Sequence, residues 1–170
     1  MAVIKERFRR PNQIDTGARV HPVFDDFHLL RMEGDYEYPG HTHVNYELIL
    51  IERGPYGCEL NGVELVLKEG QILVIKPGDY HQDHLHDGQR HYVLHFHLVS
   101  EGSRVNAIAL FKPQVTPDLQ ICHGNHVRDM MFLRELKREA AEKAVHAPVV
   151  QDCLLEALSG GQSAIFPFKD

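Results

Sequence analysis

Two histidines one residue apart, His41 and His43, and a glutamate four positions further on, Glu47, stand together in the segment HTHVNYELILIERG. Imidazole nitrogens and carboxylate oxygens are donors that first-row divalent cations accept, so the chemistry on offer is metal ligation. On a strand, positions two apart face the same way, which puts His41 and His43 on one side. Glu47 has the same parity, yet a straight strand would carry it about 13 Å from His43, too far to share one ion through bonds of about 2 Å. The chain is therefore expected to turn at Val44-Asn45-Tyr46, with Asn45 suited to the tight position, so that Glu47 opens a neighbouring strand and faces back. A fourth ligand has to come from another strand.

Histidine is the compositional outlier. There are 13, and eight of them (His41, His43, His81, His84, His86, His91, His95 and His97) fall between residues 41 and 97. In HYVLHFHL, His91, His95 and His97 share a face with Val93, while Tyr92, Leu94, Phe96 and Leu98 share the other. If the polar face is a barrel interior, His95 and His97 become candidates for contact with a bound small molecule. His84 and His86, in HQDHLHDG, read as part of an exposed loop. No GxSxG motif, phosphate-cradling glycine loop or nucleophilic cysteine with a local signature is present.

The elements that must position these groups are short apolar runs: FHLLRM, YELILIE, YGCEL, VELVLK, QILVIK and HYVLHFHLV. Turn signals at close spacing separate them, the pattern of an all-β sandwich or barrel. Asn61-Gly62 predicts a two-residue type I′ hairpin, because both positions need positive φ. Gly70 and Pro77-Gly78 mark further turns.

Beyond residue 103 the period changes. NHVRDMMFLRELKREAAEKA spaces Val127, Met130, Met131, Phe132, Leu133, Leu136 and Ala140 by about three and four, predicting an amphipathic helix. Asn125 is its expected N-cap, and Glu139 with Lys143 an i,i+4 pair. A shorter second helix, PVVQDCLLEALS, starts near Pro148 and is stopped by Gly160-Gly161. The expected organisation is a barrel over residues 1–103 and a helical segment over 104–170.

At 170 residues the chain is long enough for one domain with a real core. Its 43% hydrophobic and 25% charged residues indicate a globular protein, and a net charge of -6 argues against a nucleic-acid-binding surface. Cys58, Cys122 and Cys153 are odd in number and widely spaced, as expected of reduced cytosolic thiols. With no apolar run of spanning length and no signal-peptide core at the start, the sequence predicts a cytoplasmic protein without a membrane segment.

HTHVNYELILIERG resembles the first cupin motif (His-x-His, three residues, Glu, six residues, Gly), and GQILVIKPGDYH resembles the second, which contributes His81. The resemblance departs at Asp35, where the family has an early glycine, at Lys76 in place of a proline, and at Leu85 in place of an asparagine. None of these is a ligand position. What it implies is a metal held by His41, His43, Glu47 and His81, with Fe, Mn, Ni, Zn and Cu all compatible with the donors. The alternative is that the same residues line a barrel mouth without a metal, as in cupins that have lost it.

The order of pieces, barrel then helix pair, resembles the N-terminal sensor and dimerisation domain of AraC-type transcription regulators. The fold so implied is mostly β, a cupin-type double-stranded β-helix (jelly-roll) barrel followed by a C-terminal pair of α-helices. The implied partners are a small-molecule effector and a second copy, through the helices of residues 126–158. The family's helix-turn-helix half has no counterpart here, so DNA contact is expected only through a domain outside this chain. The expectation is a sensor rather than an enzyme, its rival being a stand-alone metal-dependent cupin dioxygenase or isomerase.

Overall fold

A computed structural model describes residues 19–101, 110–111, 114–123, 125–142, 147–148 and 150–152. The strands are β1 (Arg19–Arg31), β2 (Tyr36–His41), β3 (Tyr46–Arg53), β4 (Tyr56–Leu60), β5 (Val63–Leu67), β6 (Gln71–Ile75), β7 (His81–Leu85), β8 (Arg90–Glu101) and β9 (Ile121–His123), with a 3-10 turn at Pro117–Gln120 and a helix, α1, at His126–Glu142. They form two antiparallel sheets, ordered β1-β8-β3-β6-β9 and β2-β7-β4-β5. The interleaving of the first eight strands is consistent with a jelly roll. The fold is thus mostly β with a helix near the C-terminus, as the sequence predicts.

The six apolar runs all become strands. β2, β7 and β9 are additional: YEYPGH and HQDHL are too polar to register as apolar runs, and ICH has only three residues. His84 is accordingly a strand residue, not a loop residue. The Asn61-Gly62 hairpin forms between β4 and β5, with φ of 49° and 81° at its two corners.

β3 explains why its sequence is continuously apolar rather than alternating. Its inner face, with Ile49 and Ile51, packs against Tyr56, Cys58, Leu60 and Leu67 of the opposite sheet. Its outer face, with Leu48 and Leu50, packs with Ile72, Leu94 and Phe96 against Met130, Leu133 and Leu136 of α1. A strand covered on both sides cannot alternate. α1 buries that stripe and Asp129, while Val127 and Met131 are exposed. Asn125 caps the helix, its Oδ1 accepting from the Arg128 N–H at 3.1 Å.

Lys143 lies outside the described residues, and with it the Glu139–Lys143 pair. Of the second predicted helix, residues 148 and 150–152 are helical and the rest lies outside the described residues. Asp152 there accepts a hydrogen bond from the Phe24 N–H of β1 at 2.8 Å. Past the expected barrel boundary at 103, β9 adds a strand to the edge of β6.

Candidate metal centre

The predicted turn between His43 and Glu47 is present, but the strands it joins belong to different sheets. β2 ends at His41, the chain crosses between the sheets, and β3 begins at Tyr46. The crossing aims His43 back toward the strand end. The His43 carbonyl accepts from the Gly78 N–H at 2.9 Å, which fastens the Pro77-Gly78 turn beside it. Gly78 adopts φ of 82°, the left-handed region that glycine enters freely. Asn61 steadies the same turn by donating to Asp79 Oδ1 and accepting from the Tyr80 N–H. His81 then opens β7 directly across from His41.

Both histidines of the His-x-His pair are oriented through their own backbone. His41 Nδ1 lies 2.9 Å from the Pro39 carbonyl, and His43 Nδ1 lies 2.8 Å from the Asn45 carbonyl. A carbonyl only accepts, so each Nδ1 carries a proton and each Nε2 is left to face the site. His43 Nε2 is 2.9 Å from Glu47 Oε2, and His81 Nε2 is 3.2 Å from the same oxygen. His81 is fully buried, and neither of its ring nitrogens makes a hydrogen bond within the described residues. Its approach to Glu47 is close enough for charge attraction but misaligned for a hydrogen bond.

Glu47 is 6% exposed. Burial by itself opposes its ionisation, but the hydrogen bond from His43 and the nearness of His81 outweigh that and hold its pKa at about 2. The hydrogen bond to Glu47 in turn raises the pKa of His43, against the opposing effect of its own burial. A negative carboxylate surrounded by imidazoles is an arrangement a divalent cation can complete.

The donors fit such a cation. One ligand nitrogen from each of His41, His43 and His81 lies within 4.8 Å of the others, and the same holds for donor atoms of His43, Glu47 and His95. A metal with bonds of about 2.1 Å spans about 4.2 Å between opposite ligands, so small side-chain shifts would close the set. A metal would also give the orphaned nitrogen of buried His81 a partner, which nothing else described provides.

Of the expected ligands, His41 and Glu47 line a cavity of about 490 Å³. His95 lines it, with Nε2 3.6 Å from Glu47 Oε1. His97 lies further along β8, half exposed, with Nδ1 2.9 Å from Asp25 Oδ1. The interior also holds Asp83, which the sequence reading missed, and His91, which it placed on the polar face of β8. Asp83 accepts from the Tyr56 hydroxyl at 2.7 Å, and burial raises its pKa. His91, 1% exposed, has its pKa lowered by burial to about 4 and is therefore neutral. Asp83 could have been found by counting two positions from His81 along β7.

Residues 28–147 match the sequence model of the AraC-like ligand binding domain. The chain belongs to that family. No curated protein sequence matches this AraC-like domain significantly. Among solved structures, it is similar to a putative mannose-6-phosphate isomerase from Ralstonia eutropha at 15% identity, over 48% of this chain and 86% of that one, with a TM-score of 0.39. The cupin domain of Schizosaccharomyces pombe Cnp3 aligns at 16% identity over 47% of this chain and 64% of its own, TM-score 0.38. Bacillus subtilis oxalate decarboxylase, a protein with Mn(II) centres, aligns at 14% identity over 50% of this chain and 26% of its own, TM-score 0.36. Among the described residues, no helix of the AraC-like domain is long and apolar enough to cross a membrane.

Proposed function

We propose that this AraC-like domain is the effector-sensing and dimerisation part of a cytoplasmic transcription regulator, and that its pocket contains a divalent transition metal. His41, His43, Glu47 and His81 would hold the ion, which supplies a Lewis-acidic point where an oxygen of the effector can bind. The observation that carries the reading is the convergence of His41, His43 and His81 with the carboxylate of Glu47, two of which, His41 and Glu47, line a ligand-sized cavity, in a chain of a ligand-binding family. His95 faces the same cavity and is placed to contact the effector, whereas His97 is not among its lining residues and would contact an effector only if that molecule extends past His95. Dimerisation is assigned to the helices of residues 126–158, and DNA contact to a domain outside this chain.

The rival reading is a cupin enzyme of the dioxygenase or isomerase type. It is favoured by one observation, that half-buried Asp83 holds its proton more tightly than an ordinary carboxyl and could exchange it with a substrate. Metal analysis of protein purified without a His-tag tests the shared premise. At least one equivalent is expected, and one should be lost in His43→Ala and in His81→Ala; unchanged metal content in both refutes the site. A small-molecule screen by thermal shift then separates the two readings: a sensor is stabilised by a compound it leaves unchanged, whereas turnover of that compound identifies an enzyme. Light scattering at micromolar concentration should give a dimer, and a monomer refutes the dimerisation assignment.

A further inference from the structure

A second constellation of donors sits on β1 and β8, on the side of Glu47 away from His81. Asp26, His28 and His95 each offer one donor atom, and the three atoms lie within 4.8 Å of one another. Asp26 Oδ1 is approached by His95 Nδ1 and, at 3.4 Å, by His28 Nε2. The two rings meet edge to face with centroids 6.0 Å apart. Two imidazoles and one carboxylate form a set that suits first-row divalent metals and leaves positions open.

A backbone irregularity creates this arrangement. β1 pairs with β8 as Phe24↔Phe96 and then Asp26↔His95, so Asp25 is an extra residue without a partner. Without the bulge, the next residue opposite His95 would be Asp25, and Asp26 and His28 would face away from the cavity. The bulge shifts the phase of the strand and brings both to the face of His95. It is anchored on three sides: Phe24 N–H donates to Asp152, and Asp25 receives hydrogen bonds from Asn45 Nδ2 and His97 Nδ1.

His95 links the two constellations. Its Nε2 faces Glu47 Oε1 while its Nδ1 faces Asp26. If Nε2 donates to Glu47, the Nδ1 lone pair is free for a cation, the carboxylate–histidine–metal pattern in which a carboxylate fixes the tautomer of a ligand. Glu47 would then serve one ion directly through Oε2 and orient a ligand of the other through Oε1.

We propose that Asp26, His28 and His95 form a second binding site for a divalent transition metal, at the cavity mouth and distinct from the His41/His43/His81 set. The test is titration of EDTA-treated, tag-free protein with Zn2+ by calorimetry, repeated with Co2+ and its visible absorption. Wild type should take up two equivalents. His28→Ala, a change at an exposed side chain that touches neither Glu47 nor His81, should take up one, and Asp26→Asn should weaken the same equivalent by at least about 10- to 100-fold. Two equivalents in His28→Ala, or a single wild-type equivalent that His28→Ala retains, overturns the proposal. If wild type takes up a single equivalent that His81→Ala keeps and His28→Ala loses, the second site stands and the first fails. The two assignments are thereby tested separately.

Discussion

Replacing Glu47 by Gln in the metal-free protein removes the charge at the centre of the histidine cluster, and the effect on stability should depend on pH. The carboxyl falls from an ordinary 4.5 to about 2 on folding, which corresponds to about 3 kcal/mol at roughly 1.4 kcal/mol per pH unit. Because the folded value lies below the unfolded one, this stabilisation is complete above pH 4.5 and is lost as pH falls toward 2. By linkage, about 2 kcal/mol of it should be gone at pH 3. His43 has the opposite sign: its pKa is raised in the folded state, so its share is present below 6.5 and is lost as pH rises through the higher folded value. The two shifts describe one contact and are not additive. The assay is urea denaturation of EDTA-treated wild type and Glu47→Gln from pH 3 to 9. The stability difference should shrink toward acid and again toward alkali. A difference that stays constant between pH 5 and pH 3 would refute the claim that the histidines hold Glu47 ionised.

On α1, Leu133→Ala should destabilise by about 2–5 kcal/mol, because Leu133 is fully buried against the sheet; Met131→Ala, at a 62% exposed position, should change stability by no more than about 0.5 kcal/mol, and equal effects in urea melts would contradict the packing described. Tyr56→Phe takes the hydroxyl from Asp83 and should cost about 1–3 kcal/mol. The loss removes a bond that lowers the Asp83 pKa, so the penalty measured in urea should be larger at pH 8 than at pH 4. Cys58 and Cys122 are buried, and burial pushes both thiols up, Cys122 to about 11. Mass mapping after iodoacetamide at pH 8 should find neither modified until denaturant is added, and rapid labelling of either would contradict its burial.

The parts of this molecule that follow local rules were legible in its sequence. Asn61-Gly62 announces a turn because few other pairs tolerate both backbone angles, and Asn125 announces a helix start because its side chain can replace a missing backbone partner. The spacing of His41, His43 and Glu47 requires a turn, but sequence spacing cannot say that the turn crosses from one sheet to the other. β2 and β7 were illegible for a physical reason. Their inner faces carry the polar site groups His41, His81 and Asp83 in place of the apolar residues that mark a strand. The bulge at Asp25 was hidden as well: Asp26 and His28 take their direction from an unpaired residue that leaves no mark in hydrophobic periodicity.

β9, three residues long, reaches back to pair Gln71, Ile72 and Leu73 with His123, Cys122 and Ile121. It occupies the flank of β6, where an open row of amide and carbonyl groups would otherwise offer a template for another chain. A fragment cut at residue 103 would bare that row together with the apolar outer surface of the sheet. Recombinant pieces of this protein should therefore extend beyond residue 142 to remain free of self-association through that flank.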